Sequence, residues 1–191
     1  MLNLKDLSVA IQSVEILRGV NLNLPQGRMA GLIGRNGAGK TTLLRSIMGH
    51  LPYQSGSVTF DQVDLATTPA HRRNHLGVGY MPEDRRLVPE LSVEENVLLP
   101  LWATSKKNSA TKLKQVYAMI PEVEQFRDRK ALQLSGGQQK LVALARSLMS
   151  GTKLLLLDEP FEGVAPALAQ RLVEVIAGLK REGLTVLLSE S

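Results

Sequence analysis

The residues best suited to chemistry are the eight in Gly34-Arg35-Asn36-Gly37-Ala38-Gly39-Lys40-Thr41, followed by Thr42. A Gly-x-x-x-x-Gly-Lys-Thr spacing lets successive backbone N–H groups curl around an anion with no Cβ in the way. A helix beginning at this point turns its positive end toward the same anion. Lys40 is then long enough to reach the outer phosphates of a nucleotide, and the Thr41 hydroxyl is placed to ligate Mg²⁺. The plainer alternative is a glycine-rich turn between a strand and a helix with no ligand. The lysine and the hydroxyl, both in register, favour phosphate binding.

Two further stretches carry candidate chemistry. Leu134-Ser135-Gly136-Gly137-Gln138 opens a run in which Leu141, Leu144, Ala145 and Leu148 recur at helical spacing. Ser135 and Gln138 have the spacing of a capping box, which explains them structurally. The same residues also make an anion site, from a hydroxyl, two unobstructed N–H groups and a helix N-terminus. Residues 153–157 are an apolar strand running into Asp158-Glu159-Pro160. Ligands of open α/β sheets gather at the carboxyl ends of strands. Asp158 would there hold Mg²⁺ through its water shell, and Glu159 would position or deprotonate an attacking water. An acidic turn closing a buried strand is the alternative.

The elements that must position these groups follow from the hydrophobic pattern. Residues 2–7 and 20–24 alternate apolar and polar, as antiparallel strands covered on one face do. Residues 29–33 are nearly all apolar, which predicts a central parallel strand covered on both faces. Leu43, Leu44, Ile47 and Met48 share one helical face, and Gly49 supplies the stop. Strands are expected at 56–60, 76–80 and 184–188. Ser92 and Glu95 make a capping box for a helix with Val93, Val97, Leu98 and Leu101 inward. Residues 105–111 are polar and aperiodic, which predicts a mobile linker, and 112–129 predict helices broken at Pro121. Residues 82–134 therefore read as a helical insertion in an α/β chain.

Bulk properties bound the function. With 191 residues and 43% hydrophobic composition, one α/β domain with a real core is expected. No apolar run approaches the roughly 18 residues that span a bilayer, and no leader precedes the first strand. The absence of cysteine excludes disulfides and thiolate metal sites. A net charge of +5, spread along the chain, fits a phosphate-friendly surface as well as nucleic acid. Few aromatics argue against a base-stacking platform.

The order of the three motifs, with room for one helix and one strand between Gln138 and Asp158, resembles the ATP-binding cassette (ABC) family over the whole chain. The resemblance implies a P-loop NTPase: a mostly parallel core sheet, an antiparallel N-terminal β-subdomain and the helical insertion at about 82–134, all in one domain, 1–191. It implies ATP and Mg²⁺, with residues 34–42 on the phosphates and Thr41, Asp158 and Glu83 at the metal. It also implies a head-to-tail dimer in which Ser135, Gly136, Gly137 and Gln138 close on the nucleotide of the second subunit. Closure would drive transmembrane permease subunits, served indirectly by a solute-binding protein. The expected location is the cytoplasmic face of the plasma membrane, peripheral, with no nucleic acid bound.

Departures from the family pattern narrow the branch. Ile11 stands where an adenine-stacking aromatic is usual, Glu83 replaces the usual glutamine, and Ala165 the usual aspartate. Glu83 is assigned both a catalytic and a metal-binding role, beside Glu159 as the catalytic base. Residues 82–86 and 91–96, with Gly163-Val164-Ala165-Pro166, look like the branched-chain amino acid importer ATPases; urea importer and lipopolysaccharide exporter ATPases share parts of the pattern. The family's γ-phosphate-sensing histidine is expected beyond residues 184–188, whereas the chain stops at Ser191. His50, His71 and His75 read as surface residues. The chain is therefore expected to be C-terminally truncated, binding ATP with slow or absent turnover. The competing classes are a soluble ABC ATPase acting on nucleic acid or ribosomes, and a non-catalytic nucleotide-binding module.

Overall fold

The computed structural model describes residues 1–102 and 109–191. In chain order it contains β1 (Leu2–Ile11), β2 (Val14–Leu24), β3 (Met29–Ile33), α1 (Lys40–Ile47), β4 (Ser55–Phe60), β5 (Val63–Asp64) and α2 (Ala70–Arg73). There follow β6 (Val78–Met81), α3 (Val93–Trp102), α4 (Ser109–Met119), α5 (Pro121–Gln125), α6 (Gly136–Ser150), β7 (Leu154–Asp158), α7 (Pro166–Arg181) and β8 (Thr185–Glu190).

The strands form an antiparallel sheet in the order β2-β1-β4-β5 and a parallel sheet in the order β3-β8-β7-β6. In β1, Leu2, Leu4, Leu7 and Val9 are buried, with a register irregularity between Leu4 and Leu7. This is the period-two pattern of a sheet packed on one face. Gln12 and Ser13 both take positive φ, as a two-residue hairpin between β1 and β2 requires.

β7 is covered on both faces, as is its neighbour β8, whose Val186 and Leu187 face opposite clusters. Leu154 and Leu156 join the apolar cluster shared with β1, β4 and α1, whereas Leu155 and Leu157 join the cluster under α3, α4, α6 and α7. Alternate side chains of one strand thus serve both layers. β3, expected in that place, lies instead at an edge of the sheet and pairs with β8, and Ile33 is 86% exposed. Hydropathy reads how apolar a run is, not how many neighbours the topology gives it.

Other expectations met the structure closely. Ser92 and Glu95 exchange the two capping-box hydrogen bonds at the start of α3. The break at Pro121 separates α4 from α5. The strand expected at 76–80 begins at Val78, because Gly77 turns left-handed at φ 91. Of the expected linker, residues 105–108 lie outside the described residues, while 109–111 are the first turn of α4. Between β6 and α6 the helices α3 to α5 share one apolar cluster with the parallel sheet, through Val97, Val116 and Ile120 beside Leu155 and Val186.

Candidate functional site

The turn from β3 into α1 has left-handed glycines at Gly37 and Gly39, with φ of 84° and 92°. A Cβ on Gly39 would also meet Leu17 Cδ2 at 2.8 Å, so both backbone conformation and packing require glycine there. Over Gly37 a Cβ would meet nothing within 4 Å, leaving that part of the loop open. Ala38 N–H donates to the Arg35 carbonyl at 3.0 Å, tightening the curl. Lys40, the first residue of α1, folds back so that its ammonium donates to the carbonyls of Gly34 and Arg35.

Facing the loop are the acids at the end of β7. Asp158 is fully buried. Its Oδ1 accepts from Thr41 Oγ1 at 3.1 Å and from Ser189 Oγ at 2.7 Å, and its Oδ2 accepts from the Tyr80 hydroxyl at 3.2 Å. Burial, and then the Asp158 carboxylate, push the Tyr80 phenol above its ordinary range. Glu159 Oε1 pairs with Lys40 Nζ at 3.1 Å, whereas its buried Oε2 has no hydrogen-bond partner. An acceptor held inside a wall without a partner is costly unless a ligand or water completes it.

The loop and Glu159 line a cavity of about 480 Å³, bordered by residues 36–42, Glu83, Glu159 and Glu162, with Ile16 on its wall. Burial, then the neighbouring Glu162 and Asp158 charges, raise the Glu83 carboxyl. Gly34 and Arg35 lie outside this lining and contribute their carbonyls to Lys40. A second cavity of about 440 Å³ lies beside it, sharing Thr41 and Glu83 and walled by Arg45, Tyr80, Arg146 and Asp158.

Ser135, Gly136, Gly137 and Gln138 do not line the loop cavity. They form the expected capping box: Ser135 N–H donates to Gln138 Oε1 at 2.9 Å, and Gln138 N–H to Ser135 Oγ at 3.3 Å. Gly137 has a packing reason as well, since a Cβ there would land 2.3 Å from Leu168 Cδ2 of α7.

Several residues of the site were not anticipated. Ser189 donates to Asp158 and accepts the Glu159 N–H at 3.0 Å. Lys140, buried in α6, donates to the Glu159 carbonyl. The readable signal for both was a polar residue inside an otherwise apolar pattern. Ile16, and not Ile11, reaches the cavity wall. Of the histidines, all three are exposed, and His50 stands edge-on to Tyr80 with ring centroids 5.8 Å apart.

The donors suit a hard cation bound together with a phosphate. Among the described residues no cluster of three or more His, Cys, Asp or Glu could hold a metal ion. The Thr41 hydroxyl and the Asp158 carboxylate, 3.1 Å apart, are oxygens of the kind that Mg²⁺ accepts when phosphates and water complete its shell.

A family model described as ABC transporter matches residues 17–162. The chain is 36% identical over 190 residues to the high-affinity branched-chain amino acid transport ATP-binding protein BraG of Pseudomonas aeruginosa, covering 100% of this chain and 82% of that protein. It is 32% identical over 191 residues to the lipopolysaccharide export system ATP-binding protein LptB of Escherichia coli strain K12, covering 99% and 79%. A nucleotide-free ATP-binding cassette from an ABC transporter superposes with a TM-score of 0.87 at 29% identity, over 100% of this chain and 81% of that one. A dimeric cassette in a post-hydrolysis state bound to ADP and Pi gives 0.87 at 26% identity, over 99% and 87%.

Proposed function

The chain belongs to the ABC transporter family as an ATPase domain, and from that premise we infer that residues 34–42 grip the phosphates of ATP while Glu159 serves its hydrolysis. One observation carries the reading: Lys40, Thr41 and Glu159 line one cavity, Lys40 pairs with Glu159, and Thr41 donates to Asp158, 117 positions away. Nothing in ordinary strand-to-helix packing requires a buried lysine, two acids and an open glycine loop together.

In the reaction, the N–H groups of the loop and the α1 N-terminus hold the phosphate tail. Lys40 exchanges its carbonyl and carboxylate partners for phosphate oxygens, which frees Glu159. Glu159 orients a water and accepts its proton as the water oxygen bonds to the γ-phosphorus; the bond to the bridging oxygen breaks and ADP leaves. Magnesium, when bound, neutralises charge on the outer phosphates. Thr41 and Asp158 would hold it, with Glu83 at the edge of the same cavity. Tyr80 and Ser189 keep the Asp158 carboxylate oriented by donating to it.

The capping box at Ser135 is turned to a different place from the loop cavity, which supports a head-to-tail pair: the signature segment of each subunit closes on the nucleotide held by the other. Dimeric neighbours of the same fold support this too. The whole chain reads as one ATPase domain with its helical insertion at about 82–134. Transmembrane permease subunits would be moved by closure, and the protein would sit peripherally at the cytoplasmic face of the membrane. Among the described residues no helix is long and apolar enough to cross a bilayer.

The transported solute is assigned as a polar one, of the branched-chain amino acid kind, taken up with a solute-binding protein. The support is the higher identity to BraG. Lipopolysaccharide export is the second reading, favoured by the 32% identity to LptB over 99% of this chain. Calorimetry with Mg-ATP, phosphate release, and co-purification with permeases test the proposal. Binding by the wild type, its loss in Lys40→Ala, and a retained membrane partner are expected. Absence of binding by folded wild-type protein overturns it.

A further inference from the structure

Glu159 is held in an unusual way. It is a non-glycine residue with φ 45°, in the left-handed region that side chains rarely adopt. That conformation turns its carboxylate back toward Lys40 while the chain leaves β7. Its N–H donates to Ser189 Oγ at 3.0 Å. Its carbonyl accepts from two donors, Glu162 N–H at 3.3 Å and the Lys140 ammonium. Lys140 is 4% exposed and 19 residues away, in the first two turns of α6.

A buried ammonium aimed at a backbone carbonyl is an expensive way to fill space, since an apolar side chain would avoid the desolvation. Its placement is explained if it fixes the peptide that carries the acid. We infer that Lys140 is a positioning residue: by binding the Glu159 carbonyl it maintains the left-handed turn that aims the Glu159 carboxylate into the phosphate cavity. The inference rests on the proposed role of Glu159. Because Lys140 shares α6 with Ser135 and Gln138, it also ties the orientation of that acid to the helix whose N-terminus meets the second subunit's nucleotide. Motion of α6 on closure would then reach Glu159 through one hydrogen bond, with no change at Lys40.

Lys140→Met, Lys140→Gln and Lys140→Arg in the full chain test this by two readouts. In Lys140→Met, Mg-ATP affinity should stay within about twofold of wild type while kcat falls roughly tenfold or more at unchanged KM. Amide hydrogen exchange should quicken by roughly tenfold at residues 159–162 while α6 and β7 keep their protection. Lys140→Arg, which restores a cationic donor, should recover both, and Lys140→Gln should fall between. Unchanged kcat with unchanged exchange in Lys140→Met overturns the inference. So does protection lost evenly along α6 and β7, which would mark Lys140 as a general packing residue. If folded wild type binds no Mg-ATP, the proposed function fails, and the exchange comparison still decides whether Lys140 holds the turn.

Discussion

Lys40 and Glu159 form an ion pair 3.1 Å across, with side chains only 9% and 6% exposed. The pair joins the glycine loop to the end of β7, and each partner is also a residue that the proposed reaction must use. Lys40 therefore has competing claims on its ammonium: the loop carbonyls, Glu159, and a phosphate tail.

Removing the lysine should expose how much of this is stability. Lys40→Ala leaves an almost enclosed carboxylate without its cation, and we expect a loss of about 2 kcal/mol. Lys40→Ala combined with Glu159→Gln should recover part of that loss, because the charge left behind is then gone. Urea unfolding midpoints of the two single variants and the double variant measure the coupling.

Glu159→Gln alone should bind Mg-ATP more tightly while turning over less. The amide competes weakly for Lys40 and no longer repels phosphate. Relief of that competition by about 1 kcal/mol would be read as about fivefold in Kd. Nucleotide titration of both proteins checks it; equal or weaker binding by the variant contradicts the competition.

Ser189→Ala should destabilise out of proportion to the oxygen removed. The hydroxyl is a donor to Asp158 and an acceptor for the Glu159 N–H, all three groups being buried. Two partners are left incomplete, and a cost of about 2 kcal/mol is expected. The urea midpoint should drop with the slope unchanged.

Glu83 sets a pH dependence. Burial, then the Glu162 and Asp158 charges, raise its folded-state pKa above the ordinary 4.5. The folded protein thus holds this proton more firmly than the unfolded chain does. The stability linked to it is present below pH 4.5 and is lost as pH rises through the raised value. Glu83→Gln cannot ionise, so it should gain on wild type as pH rises across that window. Denaturant series between about pH 4 and about pH 8 would show the curves diverging upward in pH; parallel curves refute it.

The loop, the signature and the Asp-Glu step were all legible as residue types at fixed spacing, because each is a local device: glycines for a curl, a capping box for a helix start, acids after an apolar run. The helix starts at Ser92 and Ser135 were legible for the same reason, since a cap is decided within four residues. What only the tertiary structure decided are relations between distant segments. β7 and β8, and not β3, became the inner, doubly covered strands, because pairing partners are assigned by topology and not by hydropathy. Ser189 and Lys140 look like isolated polar residues in apolar patterns until β8 and α6 bring them onto Asp158 and Glu159. Residue type set which groups were able to act; packing of β7 between β6 and β8 against α1 set which of them meet, since a hydrogen bond is specified by position in space to a few tenths of an ångström and a sequence pattern only by order.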